Sequence, residues 1–236
     1  MPQDRSIAAQ IQEILGEKTI RKFFPDPVDP KNPKGNLIRF SEMADKALWW
    51  LGDNVRVEIR DATSFVIPVE GFFSLDAGPG ARVKRVVRVE QQGRFFDAIS
   101  TDWSEGFPTP RGHYQVRNRT FYVAGYGPLS REDQLYGSDP NLLLQTGPVT
   151  LTYFGVPTEA QLSGNQKFIR ACVDYGAYLA FTDMVPKILR PKNIELEGVP
   201  KIKHNAKDYQ EAAGQRLRMA LESIGRVDAL TDHNTP

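Results

Sequence analysis

Apolar residues recur at helical spacing towards both ends of the chain and at alternate positions through its middle. Ile7, Ala8, Ile11, Ile14 and Leu15 fall on one side of a helix with period 3.6, which predicts a first helix over Asp4–Leu15, capped by Asp4 or Ser6 and ended by Gly16. Pro25, Pro27, Pro30 and Pro33 forbid a helix between Phe24 and Gly35 and favour an extended connector, because the proline ring fixes φ and removes an amide donor. Met43, Ala44, Ala47, Leu48 and Leu51 predict a second helix over Ser41–Leu51, with Gly52 just past its end. Trp49 and Trp50 stand about 100° apart on that helix, so one enters the core and the other needs a partner surface.

From Asn54 the period becomes two. Val55, Val57 and Ile59 alternate with Arg56, Glu58 and Arg60 as in a half-buried strand. Ser64–Val69 reads as a second strand, with Pro68 marking an edge or an end. Val83, Val87 and Val89 alternate with Lys84, Arg85 and Arg88 in a third, and Gly93 turns it into Arg94–Ile99. Tyr114–Val116, Thr120–Val123 and Val149–Phe154 follow, the last closing the β region after a polar stretch over 125–147. These segments make five to seven strands.

A third helix is predicted over Gln166–Met184. It buries Phe168, Ile169, Cys172, Val173 and Ala180, lets another helix approach at Gly176 and Ala177, and ends at Pro186. A last helix over Ala206–Ile224 carries Tyr209, Ala213, Leu217, Ala220, Leu221 and Ile224 on one stripe, between Asn205 as N-cap and Gly225 as C-cap, with Asp208 near its positive end. No such helix buries its stripe alone. The expected class is therefore α+β: a four-helix bundle formed by N- and C-terminal helices (1–53 and 156–225), with an inserted, mostly antiparallel β domain (54–155), a projecting arm (186–204) and a flexible C-terminal tail (226–236).

Charge and candidate chemistry narrow the function classes. With 30 basic and 29 acidic side chains the net charge is +1, without the basic excess of a protein that grips nucleic acid by its phosphates; a pore through which DNA slides remains compatible. Cys172 is the only cysteine, so no intrachain disulfide forms, and on an apolar helix face it acts as a small hydrophobe. No run reaches the roughly 18 apolar residues of a membrane span, and the N-terminal residues lead into an amphipathic segment rather than a signal sequence, so no membrane partner and a cytoplasmic site of synthesis are expected. No cofactor is expected. The sequence Gly78-Pro79-Gly80 has Val83 where a dinucleotide fingerprint needs glycine, and reads as a hairpin turn. His113, His204 and His233 lack metal-ligand spacing. Asp102 or Glu105 with His113 is the grouping that a carboxylate-based hydrolase would use; a histidine at a strand start is the simpler reading. Arg82, Lys84, Arg85, Arg88 and Arg94, like Arg117 and Arg119, read as the solvent face of strands, with contact to DNA or an acidic partner ring as the functional alternative. Tyr114, Phe121, Tyr122 and Tyr126 read as sheet packing rather than a base-stacking platform.

Four stretches together resemble a known family. Leu37–Leu48 looks like its second helix, Ser64–Pro68 with Arg82–Val89 like its first hairpin, Val149–Pro157 like the strand returning to its bundle, and the two late helices match in order and character. The family is that of head-to-tail adaptors (connectors, tail tubular protein A-like) of tailed bacteriophages. The resemblance implies a structural virion protein of the neck and tail, not an enzyme. Its copies, commonly twelve, form a homo-oligomeric ring between the portal protein and the tail tube or nozzle protein. The ring extends the channel through which genomic DNA passes without sequence-specific binding. By resemblance, portal docking falls on Arg216, Leu217, Ala220, Leu221, Ile224, Arg226, Val227 and Leu230, and tail-facing loops carry Phe107, His113, Tyr126 and Tyr136. Arg82, Lys84, Arg85 and Arg88 are candidates to face the channel. A ring needs two different patches per subunit, for which Trp49, Trp50, Trp103 and the arm residues Ile188, Leu189, Ile194 and Leu196 are candidates. The chain departs from the pattern in its long Phe24–Gly35 loop and its Lys187–Lys203 arm. Another neck or tail-completion protein is the alternative, with the hydrolase third.

Overall fold

The computed structural model describes residues 6–26, 29, 36–68, 71–98, 113–123, 147–189 and 206–225. The chain is α+β and divides into two compact units, a helical one (Met1–Val55 with Thr158–Pro236) and a β unit (Arg56–Pro157).

In the helical unit, α1 (Ile7–Leu15) starts where the Ser6 hydroxyl accepts the Ala9 amide and stops at Gly16, whose φ of +72° suits a residue without a side chain. A two-turn helix absent from the sequence reading, α2 (Glu17–Phe23), follows at once and buries Ile20 and Phe23. The second expected helix is longer than its apolar stripe suggested. Helix α3 (Leu37–Asn54) opens a turn earlier on an Asn36 cap, where the side-chain oxygen accepts the Arg39 amide, and it carries Gly52 inside, buried, rather than beyond its end. Helix α4 (Gln166–Leu189) runs past Pro186, which was expected to stop it. Lys187 explains the extension: its Nζ donates to the Phe23 carbonyl at 2.9 Å and to Asp183 at 3.0 Å, fastening the last turn to the end of α2. Phe168 and Ile169 of α4 are half-buried, not buried as expected. Helix α5 (Ala206–Ser223) buries Ala213 and Ala220. Within this unit α4 packs against α1, α3 and α5, and α1 also packs against α3. The close approach expected at Gly176 is made by α1: a Cβ there would lie 2.3 Å from Ile11 Cδ1.

The β unit holds β1 (Glu58–Ile67), β2 (Phe72–Ser74), β3 (Val83–Gln91), β4 (Arg94–Ala98), β5 (His113–Arg117), β6 (Thr120–Val123) and β7 (Gly147–Gly155), in the order β1-β7-β3-β4-β5-β6-β2. Neighbours are antiparallel except β4 and β5. Three expectations change. The two strands expected over 55–69 are one, β1, with a shift of register between Asp61 and Phe65. Strand β7 pairs with both β1 and β3, so Ser64–Pro68 and Arg82–Val89 do not form a hairpin; β7, the last strand along the chain, lies inside the sheet. Strand β3 changes register twice, after Val83 and after Val86, which turns Val87 out to 42% exposure. The inner face carries Phe65, Val89, Phe96, Tyr114, Phe121, Leu151 and Tyr153. Phe65 of β1 and Phe73 of β2 lie 5.8 Å apart although their strands form opposite edges, so the sheet curls until its margins meet.

Candidate functional site

The residues singled out from the sequence fall on separate surfaces of the two units. On α5, Arg216 reaches α4 and Ala220 is fully buried. The Arg216 guanidinium donates to Asp174 Oδ1 at 2.7 Å, and Asp174 is 2% exposed. Its Oδ2 makes no hydrogen bond among the described residues and lies 4.0 Å from Arg170 Nε. Leu217, Leu221 and Ile224 are half-buried. Arg226, Val227 and Leu230 lie outside the described residues.

Trp49 is 37% exposed, whereas Trp50 stacks face to face on Tyr175, ring centroids 4.4 Å apart and planes 7° from parallel. Tyr175 in turn meets Tyr178 at 5.4 Å. Burial, with the neighbouring Tyr178 adding to it, pushes the Tyr175 phenol above its ordinary pKa. Ile188 is half-buried near the end of α4, where Leu189 is the last residue; the Leu189 side chain, Trp103, Ile194 and Leu196 lie outside the described residues.

Two grooves flank α4. One, about 450 Å³, lies against α3 and is walled by Arg39, Glu42, Lys46, Leu179 and Asp183, with Arg39 paired to Asp183. The other, about 540 Å³, lies against α5 and is walled by Tyr178, Thr182, Val185, Pro186, Gln210 and Gly214.

In the β unit, Arg82 is held by its own unit: its Nη1 donates to the Pro157 carbonyl at 2.9 Å and its carbonyl accepts the Val156 amide. Lys84, Arg85 and Arg88 are exposed, and Arg88 lies over the Phe95 ring at 5.0 Å. Arg119 is a structural residue rather than a free cation. It sits at φ +57° in the β5–β6 turn and donates to the carbonyls of Val83, Leu75 and Gly80 and to the Asp76 carboxylate. Tyr114 and Phe121 stack in the interior as expected, while Tyr122 pairs with Phe72 on the outer side. His113 opens β5 opposite Asp97, as a strand-start residue. The His113 side chain, Asp102, Glu105, Phe107, Tyr126, Tyr136, His204 and His233 lie outside the described residues.

Burial, then the charge of Glu159, pushes the Cys172 thiol up to about 12, so it stays protonated and unreactive at neutral pH. Among the described residues no group of three His, Cys, Asp or Glu side chains could hold a metal ion, and no helix is long and apolar enough to cross a membrane. The groupings missed by sequence reading are the Trp50–Tyr175–Tyr178 ladder and the Asp174–Arg216 pair. The pair had a signal, opposite charges set within the apolar stripes of two helices; the ladder joins positions far apart in sequence and had none. No protein-family model and no curated protein matches the chain.

Proposed function

We propose that the chain is a structural adaptor of a tailed-phage neck, in which α1, α3, α4 and α5 form one bundle that docks on a portal ring while the β unit meets the tail tube or nozzle. The observation that carries this reading is the arrangement of the chain: one helical unit drawn from its two ends, with the whole β unit inserted between them. That is the organisation implied by the resemblance. The surfaces on the helical unit suit protein contact: exposed Trp49, an aromatic ladder and two grooves beside α4.

Within this reading α5 meets the portal through Leu217, Leu221 and Ile224, because Arg216 is paired with Asp174 of α4 and Ala220 is buried. Lys84, Arg85 and Arg88 remain as candidate channel-facing cations, since Arg82 is tied to Pro157. Co-sedimentation with the portal ring of the same phage is the test. The wild-type chain binds the ring, and Leu221→Asp with Ile224→Asp abolishes binding. Failure of the wild-type chain to bind overturns the reading. Binding to a tail component alone would favour a tail-completion protein.

A further inference from the structure

The outward face of the β unit carries side chains that the sheet does not need for its own packing. In a regular strand Arg85 and Arg88, three residues apart, point to opposite faces. In β3 the register shift after Val86 changes this. Arg85 lies opposite Phe154 and Arg88 opposite Thr152, so a step of three residues along β3 matches a step of two along β7. Both arginines therefore stand on one face, and both are exposed. The two-residue step on β7 sets them about 7 Å apart, a spacing close to that of successive phosphates along a nucleic-acid strand. The earlier shift, after Val83, leaves Lys84 exposed beside Arg85.

An aromatic ring continues the row. Phe95 of β4 lies opposite Glu90, and Glu90 opposite Thr150, one further two-residue step along β7. The ring is 57% exposed, with the Arg88 guanidinium over it at 5.0 Å. Glu90 and Glu58 share this face without cancelling the cations. Glu90 is paired with Arg60 at 3.0 Å, and Glu58 stands across β7 from Arg85, about 10 Å away.

We propose that the outward face of β3 and β4 binds a single strand of nucleic acid, with successive phosphates on Arg85 and Arg88 and a base on Phe95. Cations that track the backbone and an aromatic ring that stacks a base are the two parts such a surface needs. A duplex keeps its bases paired inside and leaves the ring unused. An acidic polypeptide would use the cations but has no base for the ring. The net charge of the chain is only +1, so binding is confined to this face and falls with salt. The inference goes beyond the adaptor reading, which places portal docking on the helical unit.

The test is a titration of the full chain, at low salt, into labelled oligothymidylate and oligouridylate of about twelve nucleotides, followed by fluorescence anisotropy. Saturable binding of at least one of them is expected. Arg85→Ala with Arg88→Ala should weaken it about tenfold or more and reduce the slope of log affinity against log salt by about 1.4, the value of two phosphate contacts. Phe95→Ala should weaken it about fivefold or more. All three side chains are exposed, so folding is not at stake. No saturable binding of either strand, or binding that Phe95→Ala leaves unchanged, overturns the proposal. So does a DNA duplex of the same length that binds as tightly, or polyglutamate that displaces the strand as well as unlabelled oligonucleotide does. Failure of the adaptor reading looks different: the oligonucleotide binds while the chain leaves the portal ring alone.

Discussion

Asp61 sits 6% exposed in the register shift of β1, where its Oδ1 accepts the amides of Thr63 at 3.0 Å and Ser64 at 2.9 Å. Burial alone would raise its pKa; the bonds from the Ser64 and Thr63 side chains and amides outweigh that and hold the carboxyl below the ordinary carboxylate value. A carboxylate with a depressed folded pKa stabilises the fold above its unfolded pKa, and this contribution is lost as pH falls through the folded value. Asp61→Ala is expected to cost about 1–3 kcal/mol at pH 7, since it leaves two amides without an acceptor. For Asp61→Asn, the gap from wild type in urea unfolding is expected to close below about pH 4; a gap that stays constant to pH 2 would contradict this account. The residue was legible in part: Val57, Ile59 and Asp61 lie on one side of a period-two pattern, so an inward carboxylate followed by Thr63 and Ser64 announces a local turn. Reading Ser64 as the start of a new strand missed that a bulge lets one strand continue.

Among the helices, Gly176 and the Asp174–Arg216 pair decide how α4 meets its neighbours. Gly176→Ala places a methyl against the fully buried Ile11 and is expected to cost about 1–3 kcal/mol. Ile11→Val removes the atom that is struck, so the double variant should lose less stability than the sum of the two single ones in denaturant unfolding; strict additivity would contradict the contact. Arg216→Ala strands a buried carboxylate and is expected to cost about 3 kcal/mol, whereas Asp174→Leu with Arg216→Met should cost less than Arg216→Ala alone. If the double variant proves the less stable, the pair contributes more than its desolvation costs. The helical stripes made α1, α3 and α5 legible because each has an apolar face at one period, whereas α4, which meets α1, α3 and α5, has no single apolar face and was legible from its length. The short α2 offers only Ile20 and Phe23, and the run of α4 beyond Pro186 depends on Lys187 reaching the Phe23 carbonyl, a contact 164 residues apart. The central position of β7 was hidden for the same reason: alternation in Val149–Phe154 gives a strand but not its neighbours.

For the whole molecule, the chain order carries the functional argument. Residues from both ends build one helical unit and the β unit is an insertion. The balance of 30 basic and 29 acidic side chains fits a protein that meets other proteins more than one that grips nucleic acid. The candidate contact surfaces were only partly legible. Trp49 and Trp50 stood out as two large rings that one core could not both accept, and the structure turns one outward and stacks the other on Tyr175. Arg82 and Arg119 read as solvent-face cations and Arg216 as a portal contact, yet each is engaged within its own unit by bonds that sequence spacing does not reveal. The particle mass of the protein, alone and after mixing with the portal ring from the same phage, tests the adaptor account most directly. The account predicts a portal-bound assembly whose added mass is an integral multiple of the subunit, commonly twelve copies by the resemblance. A chain that leaves the mass of the portal ring unchanged would contradict it.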